Sequence, residues 1–177
     1  MTGRIVIVTG PPGAGKTTLS PLLAEAADGD AICLETDVFY RAIRKGWIAP
    51  WKVEAHTQNQ VVSDAMVATA LAYARGGYET VIEGIVGDWV RDKFERACVA
   101  AVIELHYVVI WAPLDVVAER GRVRSADPLP TYEPFRTLHE EFTATARDWR
   151  VDSTNASPEE LATAIRAGLD AGRYRLV

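Results

Sequence analysis

The stretch TGPPGAGKTT, residues 9–18, fits the pattern G-x-x-x-x-G-K-[ST] and decides the fold of this chain. Gly10 and Gly15 carry no Cβ, so the backbone at these positions can wrap closely around a phosphate group. The ammonium group of Lys16 can reach the β- and γ-phosphates of a nucleotide, and the hydroxyl of Thr17 is a hard oxygen ligand of the kind that Mg²⁺ prefers. The pattern therefore predicts a Walker A loop that binds ATP or GTP together with Mg²⁺.

The residues on either side of this loop supply the context that the motif requires. A short β-branched run from Arg4 to Thr9 precedes it and is typical of a buried parallel strand. The segment from Lys16 to Ala27 follows, with apolar residues at the spacing of one helical face. Because the N-terminus of a helix favours phosphate, this order favours a phosphate-binding loop over a chance glycine-rich turn.

Length and composition indicate a single globular domain spanning residues 1–177. Hydrophobic residues make up 49% of the chain, and the net charge of −5 comes without a long basic run. We therefore expect neither a nucleic-acid nor a membrane partner. Cys33 and Cys98 lie far apart in apolar surroundings and are expected to be buried free thiols. The chain shows no signal peptide and no apolar run of about 18 residues, so the expected location is cytoplasmic.

Strand and helix patterns alternate along the whole chain. Predicted strands run from Arg4 to Thr9, Ala31 to Glu35, Thr80 to Glu83, Leu105 to Trp111 and Trp149 to Asp152. Predicted helices run from Lys16 to Ala27, Asp37 to Lys45, Val53 to Arg75, Asp88 to Cys98, Pro113 to Arg122 and Thr131 to Asp148, and a last helix, capped by Ser157, ends near Gly168. This alternation predicts an α/β fold, with a parallel sheet covered by helices on both faces.

Ligands of such sheets bind at the carboxyl ends of the strands, and Asp37 follows the second strand. If Asp37 opens a helix, Arg41 lies one turn along it and Arg44 nearly two turns along. A carboxylate with two guanidinium groups could bind a phosphoryl acceptor, and the carboxylate could take or orient the proton of a hydroxyl group. The alternative is a helix N-cap with a solvent-exposed ion pair.

Glu83 ends the third predicted strand and is followed by Gly84. An acidic residue in this place can hold Mg²⁺ or its water, and the glycine would let a ligand approach the backbone. The alternative is an ordinary carboxylate at a strand end.

Arginine residues precede a proline-marked loop after the fourth strand, at Arg120, Arg122 and Arg124. Phosphoryl transfer needs cationic groups that close over the developing charge, and a lid at about residues 121–131 could carry them. The alternative is a solvated helix end, where arginine favours the helix dipole.

Aromatic residues gather in the chain near the presumed acceptor side, at Phe39, Tyr40, Trp47, Trp51 and Trp89. They could form a pocket for a ring-bearing substrate, or they could belong to the core or its cover.

On these residues the chain resembles the small P-loop kinases, a group that includes adenylate kinase, shikimate kinase, gluconate kinase and chloramphenicol phosphotransferase. The resemblance is specific at residues 10–18 and covers nearly the whole chain in element order. It implies a three-layer P-loop NTPase fold with a five-stranded sheet in the order 2-3-1-4-5. It also implies that Arg120 packs on adenine, that Arg124 reaches the phosphates and that residues 152–157 border the adenine.

Two departures narrow the resemblance. Gly84-Ile85-Val86-Gly87 replaces the three-glycine run of shikimate kinases, which argues against shikimate as the acceptor. The arginine set of a nucleoside-monophosphate kinase is also not evident. The closest resemblance is to chloramphenicol phosphotransferase-like kinases.

We therefore expect an Mg²⁺- and ATP-dependent phosphotransferase that acts on a hydroxyl group of a small molecule, either a metabolite or an antibiotic. The alternatives are a nucleoside-monophosphate kinase and a P-loop ATPase or nucleotide switch. The predicted catalytic residues are Lys16, Asp37 and Arg124. The predicted nucleotide-binding residues are Gly10, Gly13, Ala14, Gly15, Lys16, Thr17, Thr18 and Arg120. The predicted substrate-binding residues are Asp37, Arg41, Arg44, Glu83 and Gly84, and the predicted metal ligands are Thr17 and Glu83.

Overall fold

A central five-stranded sheet organises the chain, as shown by a computed structural model that describes residues 2–124 and 128–177. Its strands are β1 (Ile5–Thr9), β2 (Ala31–Glu35), β3 (Glu79–Glu83), β4 (Leu105–Trp111) and β5 (Arg150–Asp152). All neighbouring strands pair in parallel, in the order β2-β3-β1-β4-β5. This order and the parallel sheet confirm the predicted fold.

Seven α-helices cover the two faces of the sheet in the described parts of the chain. They are α1 (Lys16–Glu25), α2 (Thr36–Arg41), α3 (His56–Arg75), α4 (Asp88–Ala101), α5 (Leu114–Val123), α6 (Arg136–Ala144) and α7 (Pro158–Asp170). Each parallel strand returns through a helix, so both faces of the sheet are buried.

Alternation along β1 creates two cores. Ile5 and Ile7 face one side of the sheet, where residues of α3 and α4 pack on them. Val6 and Val8 face the other side, where residues of α1, α5 and α7 pack. Side chains on a strand point alternately to opposite faces, so one fully buried strand anchors both helical layers.

Several predicted bounds of helices and strands are wrong, among them those of the helix before β5. The helix predicted from Thr131 to Asp148 is reduced to α6, and 3₁₀ turns precede and follow it. Near the end of α6, the hydroxyls of Thr143 and Thr145 donate to backbone carbonyls one turn back, and such bonds compete with continuation of the helix.

The capping box at the start of α7 forms as predicted, with mutual hydrogen bonds between Ser157 and Glu160.

Two cysteine thiols are free, but only Cys98 is buried; Cys33 is half-buried, contrary to the expectation for it. None of the helices in the described residues is long and apolar enough to cross a membrane.

Candidate active site

The phosphate loop connects β1 to α1 and has backbone conformations that require glycine. Gly10 has φ +141°, and a Cβ there would lie 2.0 Å from the carbonyl oxygen of Ile110. Gly13 has φ +83°, and a Cβ there would lie 2.2 Å from the carbonyl oxygen of Val117. These close approaches bring the loop down against β4 and α5. The loop therefore sits at the carboxyl edge of the sheet, between two strands.

Hydrogen bonds hold the carbonyl groups of this loop against the rest of the protein. Lys16 Nζ donates to the carbonyl oxygens of Gly10, at 2.9 Å, and Pro11, at 3.1 Å. The hydroxyls of Tyr132 and Ser153 donate to two further loop carbonyls, those of Pro12 and Ala14. The first N–H groups of a helix have no carbonyl partner within the helix, so those at the start of α1 can bind an anion.

The side chains of Tyr132 and Ser153 each bind one carbonyl group of the phosphate loop, and we call these two hydrogen bonds the first and second clamp. Neither residue was among the predicted site residues. The hydroxyl of Tyr132 donates to the carbonyl of Pro12 at 2.7 Å, and the Ser153 hydroxyl donates to the carbonyl of Ala14 at 2.9 Å. Their partners are backbone oxygens, which carry no sequence signal. Only the expectation that residues 152–157 border the nucleotide pointed towards this region.

Removing the first clamp should weaken nucleotide binding. We expect Tyr132→Phe to raise the dissociation constant for Mg²⁺-ADP about fivefold, because a typical hydrogen bond contributes about 1 kcal/mol. Titration calorimetry would measure this change. Tyr73→Phe is the control, because Tyr73 lies near the far end of α3, edge-on to Tyr78. An unchanged affinity in Tyr132→Phe would show that the clamp does not organise the loop.

Lys16 is the most buried cation near the loop, with 8% of its surface exposed. Burial lowers the pKa of its ammonium group to about 8. The carboxylates of Glu83 and Asp37 oppose this shift, and the guanidinium of Arg124 adds to it. All three side chains therefore lie close enough to Lys16 for their charges to act on it.

Thr17 and Glu83 form a pair of hard oxygen donors. Thr17 Oγ1 donates to Glu83 Oε1 at 3.2 Å, across the gap between α1 and the end of β3. Burial raises the pKa of Glu83, and Lys16 and Thr17 oppose that rise. A hydroxyl and a carboxylate at this separation fit the all-oxygen coordination of Mg²⁺.

The start of α2 packs directly against the end of β3. Gly84 has φ +156°, and a Cβ there would lie 1.8 Å from the hydroxyl of Thr36. Asp37, the next residue, is exposed, and its charge acts on both Lys16 and Glu83. The carboxyl ends of β2 and β3 thus place Asp37 and Glu83 close enough to Lys16, at the start of α1, for their charges to act on it.

Of the two predicted acceptor arginines, Arg41 lies on α2 as expected and Arg44 does not. Arg41 pairs with Glu35 at 3.0 Å, so the ion pair with Asp37 that belonged to the alternative interpretation is not the one that forms. The helix predicted from Asp37 to Lys45 begins at Thr36 and ends at Arg41, before Arg44. Arg44 is exposed in the segment after the helix.

The arginines at the end of α5 have separate environments. Arg120 donates to the carbonyls of Ser153, at 2.8 Å, and Thr154, at 3.1 Å, so it braces the loop after β5. Arg122 instead forms an exposed ion pair with Glu119 at 2.7 Å. Arg124, directly after α5, lies close enough to Lys16 to lower its pKa. Residues 125–127 of the predicted lid lie outside the described residues, and residues 121–123 belong to α5.

Two buried hydrogen bonds, which the sequence did not predict, connect β1 and β4 to the loop after Glu83. The backbone N–H of Val86 donates to Thr9 Oγ1 at 2.9 Å, and the hydroxyl of Tyr107 donates to the carbonyl of Val86 at 2.7 Å. Thr9 immediately precedes the phosphate loop. These bonds fix the two strand-end segments relative to each other.

The sheet order, the phosphate loop and the carboxylates at neighbouring strand ends define a small P-loop kinase fold. The AAA domain family matches residues 5–147, and the chain belongs to that family.

Known proteins show the same likeness along nearly the whole chain. A shikimate kinase from Corynebacterium diphtheriae is 26% identical over 189 aligned positions, covering 96% of this chain and 98% of that protein. The structure of the APS kinase CysC of Mycobacterium tuberculosis, in complex with AMPPNP and APS, has a TM-score of 0.72 at 17% identity, covering 96% of this chain and 98% of that one. The tunicamycin resistance protein of Deinococcus radiodurans has a TM-score of 0.68 at 19% identity, covering 99% of both chains. The predicted resemblance to small P-loop kinases is confirmed.

Proposed function

We propose that this chain, acting as one kinase domain, transfers the γ-phosphoryl group of Mg²⁺-ATP to a hydroxyl group of a small molecule. The observation that carries the proposal is the convergence of Lys16, at the start of α1, with Glu83 and Asp37, which lie at and just after the carboxyl ends of β3 and β2. The relatives support it, because shikimate kinase and APS kinase are named for small phosphoryl acceptors. Their different names leave the acceptor to be found by experiment.

The described residues divide the work of transfer between them. Lys16 and the N–H groups at the start of α1 hold the phosphates. Thr17 and Glu83 would hold Mg²⁺, which when bound neutralises charge on the phosphate oxygens. Arg124 lies close enough to Lys16 for its charge to act there, and this positive charge would help to stabilise the transferring group.

In the reaction, Asp37 orients the acceptor hydroxyl and receives its proton. The acceptor oxygen forms a bond to the γ-phosphorus while the bond from that phosphorus to the bridging oxygen of ADP breaks. ADP leaves with the electron pair of that bond, and the proton passes from Asp37 to solvent. The products are a phosphate monoester, ADP and one proton.

A coupled assay of ADP release tests this function. The panel contains sugars, nucleosides, nucleoside monophosphates, hydroxy acids, and aminoglycoside and phenicol drugs, with Lys16→Ala as the blank. We expect one class of compound to raise the rate at least tenfold over the rate without acceptor, and only in the wild type. Fast ADP release without any acceptor would instead identify an ATPase or nucleotide switch. A preference for nucleoside monophosphates would identify a nucleotide kinase.

A further inference from the structure

Large apolar side chains lie exposed on the segments that follow α2 and β3. Trp47 is 50% exposed, Trp89 is 44% exposed and Ile85 is 47% exposed. We call these three residues the tryptophan patch. Phe39 and Tyr40, by contrast, pack against the core. Burying such side chains against a ligand is favourable, so these three residues are candidates for contact with a bound ligand.

The first turn of α3 fixes Trp47. The Gln58 side chain accepts from the backbone N–H of Ile48 at 2.8 Å and donates to the Ile48 carbonyl at 2.7 Å. These two bonds hold the backbone of Ile48 at the amino end of α3. Because Trp47 directly precedes Ile48, its backbone is held near the same place.

Lys93 connects Trp89 to the next turn of α3. Lys93 Nζ lies 5.6 Å from the centre of the Trp89 ring and donates to the carbonyl of Gln60 at 3.2 Å. Because Gln60 is two residues from Gln58, the segments that carry Trp47 and Trp89 both attach to the first turns of α3.

One contact connects the patch to the start of α2. Ile85 follows Glu83 by two residues, and Gly84 between them packs against Thr36 at the start of α2. Asp37 directly follows Thr36, so Ile85 and Asp37 are each one residue away from this contact.

Three polar side chains near the patch, Gln58, Asn59 and Lys93, have partners within the protein. Both ends of the Gln58 amide bond to Ile48, and Asn59 Nδ2 donates to the carbonyl of Pro50 at 2.8 Å. Lys93 also donates to Ser63 Oγ, at 2.8 Å, and Asp64 Oδ1, at 2.6 Å, in addition to Gln60. A sugar needs several open hydrogen-bonding groups, whereas an aromatic ring needs exposed apolar faces, and the patch offers the second.

We propose that the phosphoryl acceptor is an alcohol carrying an aromatic ring, with the ring against Trp47 and Trp89 and the hydroxyl directed towards Asp37. This inference rests on the proposed kinase function and names the class of its acceptor.

Two probes that differ only in the ring test the inference, namely 3-phenylpropane-1,2-diol and propane-1,2-diol. Saturation-transfer NMR with the Mg²⁺-ADP-bound protein should show binding of the phenyl compound alone. In the double variant Trp47→Ala, Trp89→Ala this binding should weaken at least fivefold, because both aromatic rings and the apolar area that they offer to the ligand are removed. The control is Tyr73→Ala, which removes a 41% exposed aromatic ring near the other end of α3 and should leave the binding unchanged.

Three results would overturn the inference: equal binding of both probes, no binding of the phenyl compound, and binding that the double variant retains. The same samples are assayed for ADP release against the panel above. ADP release with ring-free acceptors alone would keep the kinase and remove the aromatic acceptor. Tryptophan-dependent binding of the phenyl compound, with no ADP release by any acceptor, would keep the ring site and remove the kinase.

Discussion

Replacing Asp37 with asparagine should lower acceptor-dependent ADP release by about 10²–10⁴-fold, the range for removal of a general acid or base. Asparagine keeps the shape of the side chain but cannot take the hydroxyl proton. Asp37 is exposed and acts on Lys16 through its charge rather than by holding the phosphate loop. The dissociation constant for Mg²⁺-ADP should therefore stay within about twofold, as is usual when an exposed charge is removed.

Glu35→Gln is the matched control for this variant. Glu35 lies two residues earlier in the chain, carries the same charge and pairs with Arg41 on the surface. We expect it to change turnover by less than about fivefold, since exposed ion pairs contribute about 0–1 kcal/mol. The measurements are kcat for the best acceptor in the panel and a nucleotide titration. Full turnover by Asp37→Asn, or an equal loss in Glu35→Gln, would contradict the role of Asp37 as acceptor base.

The phosphate loop was predictable because its requirements are local. Gly10 needs an unusual backbone angle and Lys16 needs to reach back over the loop, and both demands fall on neighbouring residues. The strands β1 to β4 were predictable for a similar reason, since each contains a short apolar run. The order of the strands came from the resemblance to small P-loop kinases, and it is confirmed.

Glycine at position 168 has a role that its sequence context did not indicate. The sequence predicted that the last helix ends at Gly168 or a little beyond it, because glycine commonly follows the end of a helix. The helix α7 ends at Asp170, in agreement with that prediction. A Cβ on Gly168 would lie 2.5 Å from the ring of Tyr174, so this glycine makes room for an aromatic side chain rather than ending the helix.

Other contacts at the site were less predictable. Arg41 pairs with Glu35, at the end of β2, rather than with Asp37, one helical turn away from it. Tyr132 reaches the loop across 120 positions of sequence. Its partner is a backbone carbonyl, and no spacing rule can point to such a contact.

Replacing Lys16 with glutamine should lower kcat by about 10²–10³-fold, the usual loss when one group that stabilises transition-state charge is removed. Glutamine keeps hydrogen-bond donors for the carbonyls of Gly10 and Pro11 but lacks the positive charge. The loop should therefore keep its shape, and nucleotide binding should weaken less than turnover. A loss confined to nucleotide affinity, with kcat unchanged, would contradict a role in the transfer step.

The pH dependence of nucleotide binding tests whether the positive charge of Lys16 holds the phosphates of the nucleotide. Since burial lowers the pKa of Lys16 to about 8, this group is charged below pH 8 and loses its proton above it. A phosphate favours the charged form of Lys16, so affinity for Mg²⁺-ADP should be flat below pH 8. It should fall by up to about tenfold per pH unit above pH 8, since one proton is taken up on binding.

The stability of the nucleotide-free protein should change with pH in the opposite direction. In the unfolded chain Lys16 keeps its proton up to its ordinary pKa of 10.5, so its contribution to stability rises between pH 8 and 10.5. Lys16→Gln should remove both trends, and an affinity that falls equally steeply in this variant would place the titrating group elsewhere.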